Sequence, residues 1–282
     1  MHTANRHASS PRLNRFLASL PAAEYSRWYS LLEPVELSAG EVLYDTARAS
    51  AYAYAYFPAT ATVSLVTQTL KGASIEIAVV GNDGMVGISP FSIHHAMSIQ
   101  AVVQSAGHGH RMRTRLVKDE LNQAGPLLDL LLRYLNLMLA QVAQTALCNR
   151  FHSIDQQVCR RLLLGLDRSS SEEIAMTQQT VADLLGVRRE GVTVAAQKLQ
   201  QDGVINYRRG KITVLDRSQL EQRSCECYSA LREETDRLLP TQLAVDATDS
   251  IKESQIQPRD MALGSRNRPS WARSHLASGT PH

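Results

Sequence analysis

Hydrophobic spacing changes three times along the chain. Leu13, Phe16, Leu17 and Leu20 recur at helical intervals, and Pro21 opens a second short helix whose apolar side is Tyr25, Trp28, Leu31 and Leu32. From Val35 to Met112 the period becomes two. Residues 41–44, 52–57, 62–66, 74–80, 99–103 and 107–112 all read as short strands, punctuated by Gly40, Pro58, Gly72, the run Gly81-Asn82-Asp83-Gly84 and Gly107. Many short strands that bury a shared face close into a small barrel or roll.

Helical spacing returns at Pro126. Leu128, Leu132, Leu135, Leu139, Val142 and Ala146 fall at alternating steps of four and three, a heptad seam with Leu131 and Met138 beside it. A seam this regular is expected to pair with a second copy of the same helix. Asn149 to His152 reads as a hinge, Ser153 to Leu166 as a further helix with Ile154, Val158, Leu162 and Leu163 apolar, and Asp167 to Glu173 as a polar loop.

The stretch from Met176 to Asp216 carries the densest signal. Val181, Leu184 and Leu185 define one helix, Gly186 interrupts, and Val192, Ala195, Ala196 and Leu199 define another, which is the pattern of a helix-turn-helix. Two β-rich pieces, 204–207 and 211–215, then flank Arg208-Arg209-Gly210 and add a wing. Gln219 to Leu239 is expected to be one charged helix ended by Pro240. The chain therefore divides into a mobile N-terminus (1–12), a roll (13–125), a dimerisation helix with its hinge (126–150), a winged helix-turn-helix (151–240) and a disordered tail (241–282), where apolar residues lose all period. The fold class is α+β.

Composition narrows the class without changing this picture. The chain has 282 residues, 44% hydrophobic and 20% charged, within the range of folded globular proteins. No run approaches the roughly 18 consecutive apolar residues of a membrane span. The N-terminal residues lack the apolar core of a secretory signal, so a cytoplasmic location is expected. Charge is uneven: 13–110 holds seven acids and four bases, whereas 176–223 holds eight bases and five acids. Only the latter half is expected to meet nucleic acid.

The cations of that half sit where a docked helix-turn-helix meets double-stranded DNA. Arg188 and Arg189 open the second helix, and Arg208, Arg209 and Lys211 surround the tip of the wing. Arg189 and Glu190 are the expected base readers, since Arg pairs with guanine and Glu accepts from the cytosine amino group. Arg188, Thr193, Lys198, Arg208, Arg209 and Lys211 are the expected phosphate contacts. Thr177 is placed to cap the first helix, and Thr177 and Gln178 complete the candidate interface. Arg188 stands where a capping side chain is wanted and cannot accept the free N–H groups, which fits a residue that grips phosphate.

Other chemistries find little support. No Ser/His/Asp, Cys/His or paired-carboxylate arrangement stands out, so no catalytic residues and no enzyme activity are expected. Cys148, Cys159, Cys225 and Cys227 are too few and too unevenly spaced for a disulfide framework. Cys225-x-Cys227 has no second Cys or His pair nearby in sequence, and no metal site is expected from it. His94 and His95, and His108 and His110 on a later strand, offer a weaker metal or haem alternative. The remaining alternative is a small-molecule, metal or haem sensor whose winged segment makes protein contacts.

The segments MTQQTVADLLGVRREGV, KLQQDGVI and RRGKITVLDRSQLE resemble the Crp/Fnr superfamily of bacterial transcription regulators, and the likeness extends loosely back to Phe16. The resemblance implies a jelly-roll-like antiparallel β-roll of the cyclic-nucleotide-binding type as the sensor, a dimer helix, a palindromic operator, and RNA polymerase as partner if the protein activates. Arg189-Glu190 fits the family's base-reading pair, but the next reading position is Val194, so the usual operator is not expected. The family's nucleotide-binding Glu and Arg are also missing: the stretch from Gly84 to Gln100 contains neither, which argues against cyclic nucleotide, and no cofactor is expected. Gly81, Gly84 and Gly87 remain the candidate effector loop, through backbone amides that an anion would need.

Overall fold

The computed structural model describes residues 10–46, 53–87, 99–122, 125–168 and 173–240, which together form one compact unit. A 3-10 turn at Pro11–Leu13 leads into α1 (Arg15–Ala18) and α2 (Ala22–Tyr29). Among the described residues seven strands follow: β1 (Glu33–Leu37), β2 (Val42–Asp45), β3 (Tyr54–Pro58), β4 (Thr62–Gln68), β5 (Ser74–Val80), β6 (Ile99–Ser105) and β7 (Gly107–Arg113). They pair antiparallel into two sheets, β1-β7-β3 and β2-β6-β4-β5, as a roll requires. Leu37 of the first sheet meets Val63, Val80, Ala101 and Val103 of the second in one apolar cluster, so the two sheets share a core.

α3 (Thr114–Leu121) then connects to α4 (Pro126–Phe151), which is built on two faces. Leu127, Leu130, Leu131, Tyr134 and Leu137 are buried with Phe16, Leu17, Trp28, Phe57 and Met112. Polar groups on this face are satisfied by the roll. Tyr134 donates to the Met85 carbonyl at 2.7 Å and accepts from the Met85 N–H at 3.1 Å, and the Gln141 amide donates to the Val79 carbonyl at 3.0 Å. By length and composition α4 is apolar enough to span a bilayer, yet one side of it is the floor of the roll. The other side carries the heptad seam.

The chain continues through α5 (Ile154–Asp167), β8 (Glu173–Ala175), α6 (Gln178–Leu185), α7 (Arg189–Gln201), β9 (Ile205–Arg208), β10 (Lys211–Val214), α8 (Arg217–Arg223) and α9 (Cys227–Leu238). β8, β10 and β9 form the wing sheet. α5 binds this half to the roll through buried charge. Arg161 pairs with Glu76 at 2.7 Å, and Glu76 also accepts from Ser64, while Arg168 pairs with Asp83 at 2.7 Å. At these depths an unpaired member would be costly, so the two halves are held by paired charges as well as by apolar contact.

Several expectations need correction. β1 has no clear alternation because Pro34 stands in it and only Leu37 is buried; as an edge strand it tolerates the proline. β8 is a strand that no period announces: it begins at Glu173, the last residue of the expected polar loop, and forms because β10 offers it an edge, Ile174 opposite Ile212. Asn149 to Phe151 are helical, so the joint narrows to His152 and Ser153; Ser153 starts α5 with a reciprocal capping box to Gln156. The expected single helix from Gln219 to Leu239 is two, broken at Ser224–Glu226. Leu13 is exposed, whereas Phe16, Leu17 and Leu20 are buried as expected. Of the N-terminus expected to be mobile over 1–12, residues 10–12 are ordered, Ser10 capping the 3-10 turn and Pro11 buried; residues 1–9, the expected disordered tail 241–282, and His94 and His95 lie outside the described residues.

Candidate nucleic-acid interface

α6 begins at Thr177, whose Oγ1 accepts from the Thr180 N–H at 3.0 Å, the capping role its sequence position predicts. It ends at Gly186 with φ +65°, a left-handed residue that turns the chain so that the Val187 N–H reaches the Ala182 carbonyl. α7 starts three residues after Gly186, at Arg189. Arg188 is its N-cap and makes no side-chain cap hydrogen bond; the Gly191 N–H donates instead to the Arg188 carbonyl at 3.1 Å.

Val192, Ala195, Ala196 and Leu199 bury one side of α7, as the sequence predicts. The opposite side presents Glu190, Val194, Gln197 and Gln201 in the i, i+4, i+7, i+11 succession of a single stripe. Val194 is 50% exposed, an apolar side chain on an otherwise polar stripe. Gln197 and Gln201 are additions to the sequence-based candidates, legible in hindsight from their spacing to Glu190.

The wing turns at Arg209 and Gly210, both with positive φ (+51° and +77°), and β9 and β10 pair in register on either side, Lys211 opposite Arg208. Two successive positive φ values match the right-handed twist of a tight hairpin. Arg208 and Arg209 are exposed at the tip. Among the described residues Arg188, Arg189, Arg208 and Arg209 form no ion pair.

The other candidates are more engaged. Thr193 donates its hydroxyl to Gln178 Oε1 at 2.7 Å, and the Gln178 N–H donates to the Tyr207 hydroxyl at 3.2 Å, so these residues tie α7, α6 and the wing together. Lys198 pairs with Asp155 at 2.9 Å on the flank of α7 that faces α5, and Lys211 pairs with Glu173 at 3.0 Å. Both pairs are exposed, and such pairs contribute roughly 0–1 kcal/mol, which a phosphate can displace.

The seam residues are outward. Leu132 and Leu139 are 53% and 67% exposed, Val142 and Ala146 are exposed, and Leu128 and Leu135 are half-buried. The candidate effector loop is not free in the same way. A side chain at Gly81 would meet Arg168 at 2.4 Å, one at Gly84 would meet Tyr134 at 2.6 Å, and one at Gly87, with φ +91°, would meet the Tyr54 carbonyl at 2.3 Å. Close packing explains these glycines. His108 is exposed and His110 buried, and they join no group of three or more metal-ligating side chains among the described residues. One such group exists elsewhere: Cys148 and His152 lie beside Cys225 and Cys227, which corrects the expectation that the latter pair has no partners.

Residues 156–223 match the family model of the Crp-like helix-turn-helix domain. The chain carries a Crp-like helix-turn-helix domain. No curated protein matches the sequence. Among solved structures, it is similar to a putative Crp/Fnr-family transcriptional regulator from Eubacterium rectale (17% identity, 72% of this chain and 94% of that one, TM-score 0.55). It is also similar to FixK2 from Bradyrhizobium japonicum (15% identity, 69% and 98%, TM-score 0.55) and a CRP-family transcriptional regulator from Thermus thermophilus (16% identity, 67% and 96%, TM-score 0.53). At such identities the likeness is one of fold: the antiparallel sheets, long helix and winged segment are shared with these structures.

Proposed function

We propose that the protein is a homodimeric, sequence-specific DNA-binding transcription regulator of the Crp/Fnr type, controlled by a signal received at the β-roll. The observation that carries this reading is the unshielded face of the Crp-like reader. The start of α7, its outward stripe and the tip of the wing place four unpaired arginines around a surface that a major groove and its phosphates would fill. Arg189 and Glu190 read bases, Val194 offers an apolar contact to a thymine methyl, and Arg188, Arg208 and Arg209 hold phosphates.

The apolar seam on α4 supports the dimer. Leu132, Leu139 and Val142 are exposed in one chain and would be covered by their own copies about a two-fold axis. Two readers related in this way address half-sites about one helical turn, roughly 10–11 base pairs, apart. The signal acts by favouring one setting of reader against roll, which means acting on the Arg161–Glu76 and Arg168–Asp83 pairs that join them. A cyclic nucleotide is not the proposed signal, because Gly84 to Gln100 offers neither carboxylate nor guanidinium.

Selection of bound sequences from random duplex DNA at moderate salt tests the reading. A palindrome with half-sites one turn apart is expected, and Arg189→Ala should relax one position of it by about 1–3 kcal/mol. Binding that stays uniform over all sequences, with and without cell extract to supply a signal, would overturn it.

A further inference from the structure

Two pairs of side chains far apart in sequence converge at the end of the long helix. Cys148 and His152 lie one turn apart where α4 stops, and Cys225 and Cys227 bracket Glu226 in the break between α8 and α9. Their ligand atoms all lie within 4.8 Å of one another. Cys148 Sγ is 3.6 Å from Cys225 Sγ, and Cys227 Sγ is 3.4 Å from His152 Nδ1. A tetrahedral ion with bonds of about 2.3 Å to sulfur and about 2.0 Å to nitrogen holds its ligand atoms roughly 3.5–3.8 Å apart.

The surroundings fit a metal better than three packed thiols. The sulfurs form their own buried cluster, with Cys148, Cys225 and Cys227 only 1%, 3% and 0% exposed. Apolar packing explains buried cysteines. It does not explain a ring nitrogen turned towards the third thiol, nor Glu226 Oε1 placed 3.1 Å from the opposite ring nitrogen, His152 Nε2. A carboxylate in that place fixes the tautomer that leaves Nδ1 free to ligate. Arg160 gives a second sign. It is 5% exposed, has no carboxylate in ion-pair range among the described residues, and reaches only Thr145 Oγ1 at 3.3 Å. It lies near enough to Cys148 and Cys227 for its charge to reach them. Three thiolates around a dication leave one negative charge, and a buried guanidinium balances it.

We propose that Cys148, Cys225 and Cys227, through their sulfurs, and His152, through Nδ1, bind one zinc ion, with Glu226 holding the imidazole. Thiolate and imidazole together select a borderline-soft dication, and four protein ligands leave no open position, so the site is structural rather than hydrolytic. Binding displaces the thiol protons to solvent. The ion clips the last turn of α4 to the start of α9 and so spans the joint at His152–Ser153.

The test uses the full chain, made without a histidine tag and kept reduced. Elemental analysis after gel filtration is expected to find about one zinc per chain. Metal-stripped protein titrated with Co²⁺ is expected to show sulfur-to-cobalt charge transfer and the strong visible bands of a tetrahedral site. Cys225→Ser and Cys227→Ser should lose the metal, while Cys159→Ser, at the cysteine outside the cluster, should keep it. Glu226→Gln should weaken zinc binding about 10–100-fold, a change that a merely exposed carboxylate would not cause. A wild-type chain that takes up neither ion stoichiometrically overturns the proposal, as does zinc that survives Cys225→Ser with Cys227→Ser. If the serine variants do not fold, the wild-type cobalt titration alone decides.

Discussion

Arg209 offers a perturbation whose effects on stability and on DNA should part company. It holds φ at +51° in the wing turn, a left-handed conformation that costs a side-chain-bearing residue about 1–2 kcal/mol. Glycine adopts that conformation freely, but it gives back up to about 1 kcal/mol through the extra freedom of the unfolded chain. Arg209→Gly should therefore leave thermal stability unchanged or raise it by about 1 kcal/mol. It also removes one exposed cation at the wing tip, and with it one neutralised phosphate. Affinity should fall by a similar factor for every duplex, and the slope of log K against log salt should flatten by about 0.9. Fluorescence anisotropy over a salt series reads the slope, and calorimetry on the same protein reads the stability. An unchanged slope, or a loss confined to the preferred operator, would refute the assignment of Arg209 to phosphate.

Three further outcomes are expected. Leu139→Glu places a charge at the most exposed of the large seam side chains; because both copies carry it, sedimentation at micromolar concentration should show a monomer, while near-wild-type melting of the chain would show that the core is intact. Arg161→Met leaves Glu76 buried and unpaired and should cost about 3–5 kcal/mol in denaturant unfolding, much of it recovered by Glu76→Gln in the same chain. Burial holds His110 below the ordinary histidine value of 6.5, so the unfolded chain takes its proton first as pH falls; stability should drop as pH goes down through about 6.5, and His110→Gln should remove that part of the slope in pH-dependent melts.

What was legible in the sequence is what a single period can carry. The strand expected over 74–80 is β5 to the residue, because Ser74 to Val80 is apolar nearly throughout and bounded by turn residues. The helix-turn-helix was legible for the same reason, with Gly186 the one position that needs positive φ. Features made by contact between distant segments were not. β8 has a single buried residue and exists because β10 lies beside it. The loop glycines invite a reading as an anion cradle, and only the approach of Tyr134 and Arg168 gives their cause. Cys225-x-Cys227 looks isolated because its partners lie on α4, 77 residues away for Cys148, and the packing of α4 on α9 brings them together. The helix break that frees Cys225 and Glu226 was hidden too, since Leu220, Tyr228, Leu231 and Leu238 keep a plausible helical spacing across it.

α4 is the element on which these readings meet. One side of it is fixed to the roll by Tyr134 and Gln141, and in the proposed dimer the second copy fixes the seam on its other side. A helix held on both sides moves little, so a change in the angle of the reader has to be taken up where α4 ends. The backbone leaves the helical region at His152, with φ −104° and ψ 151°, and α5 restarts after Ser153. The Cys/His cluster bridges this very joint, from the last turn of α4 to α9 of the reader. On the proposed reading, zinc at the cluster stiffens the joint from one side while the Arg161–Glu76 and Arg168–Asp83 pairs hold it from the other. A signal at the roll can then reach the reader through the charge pairs, with the metal as the pivot rather than the switch.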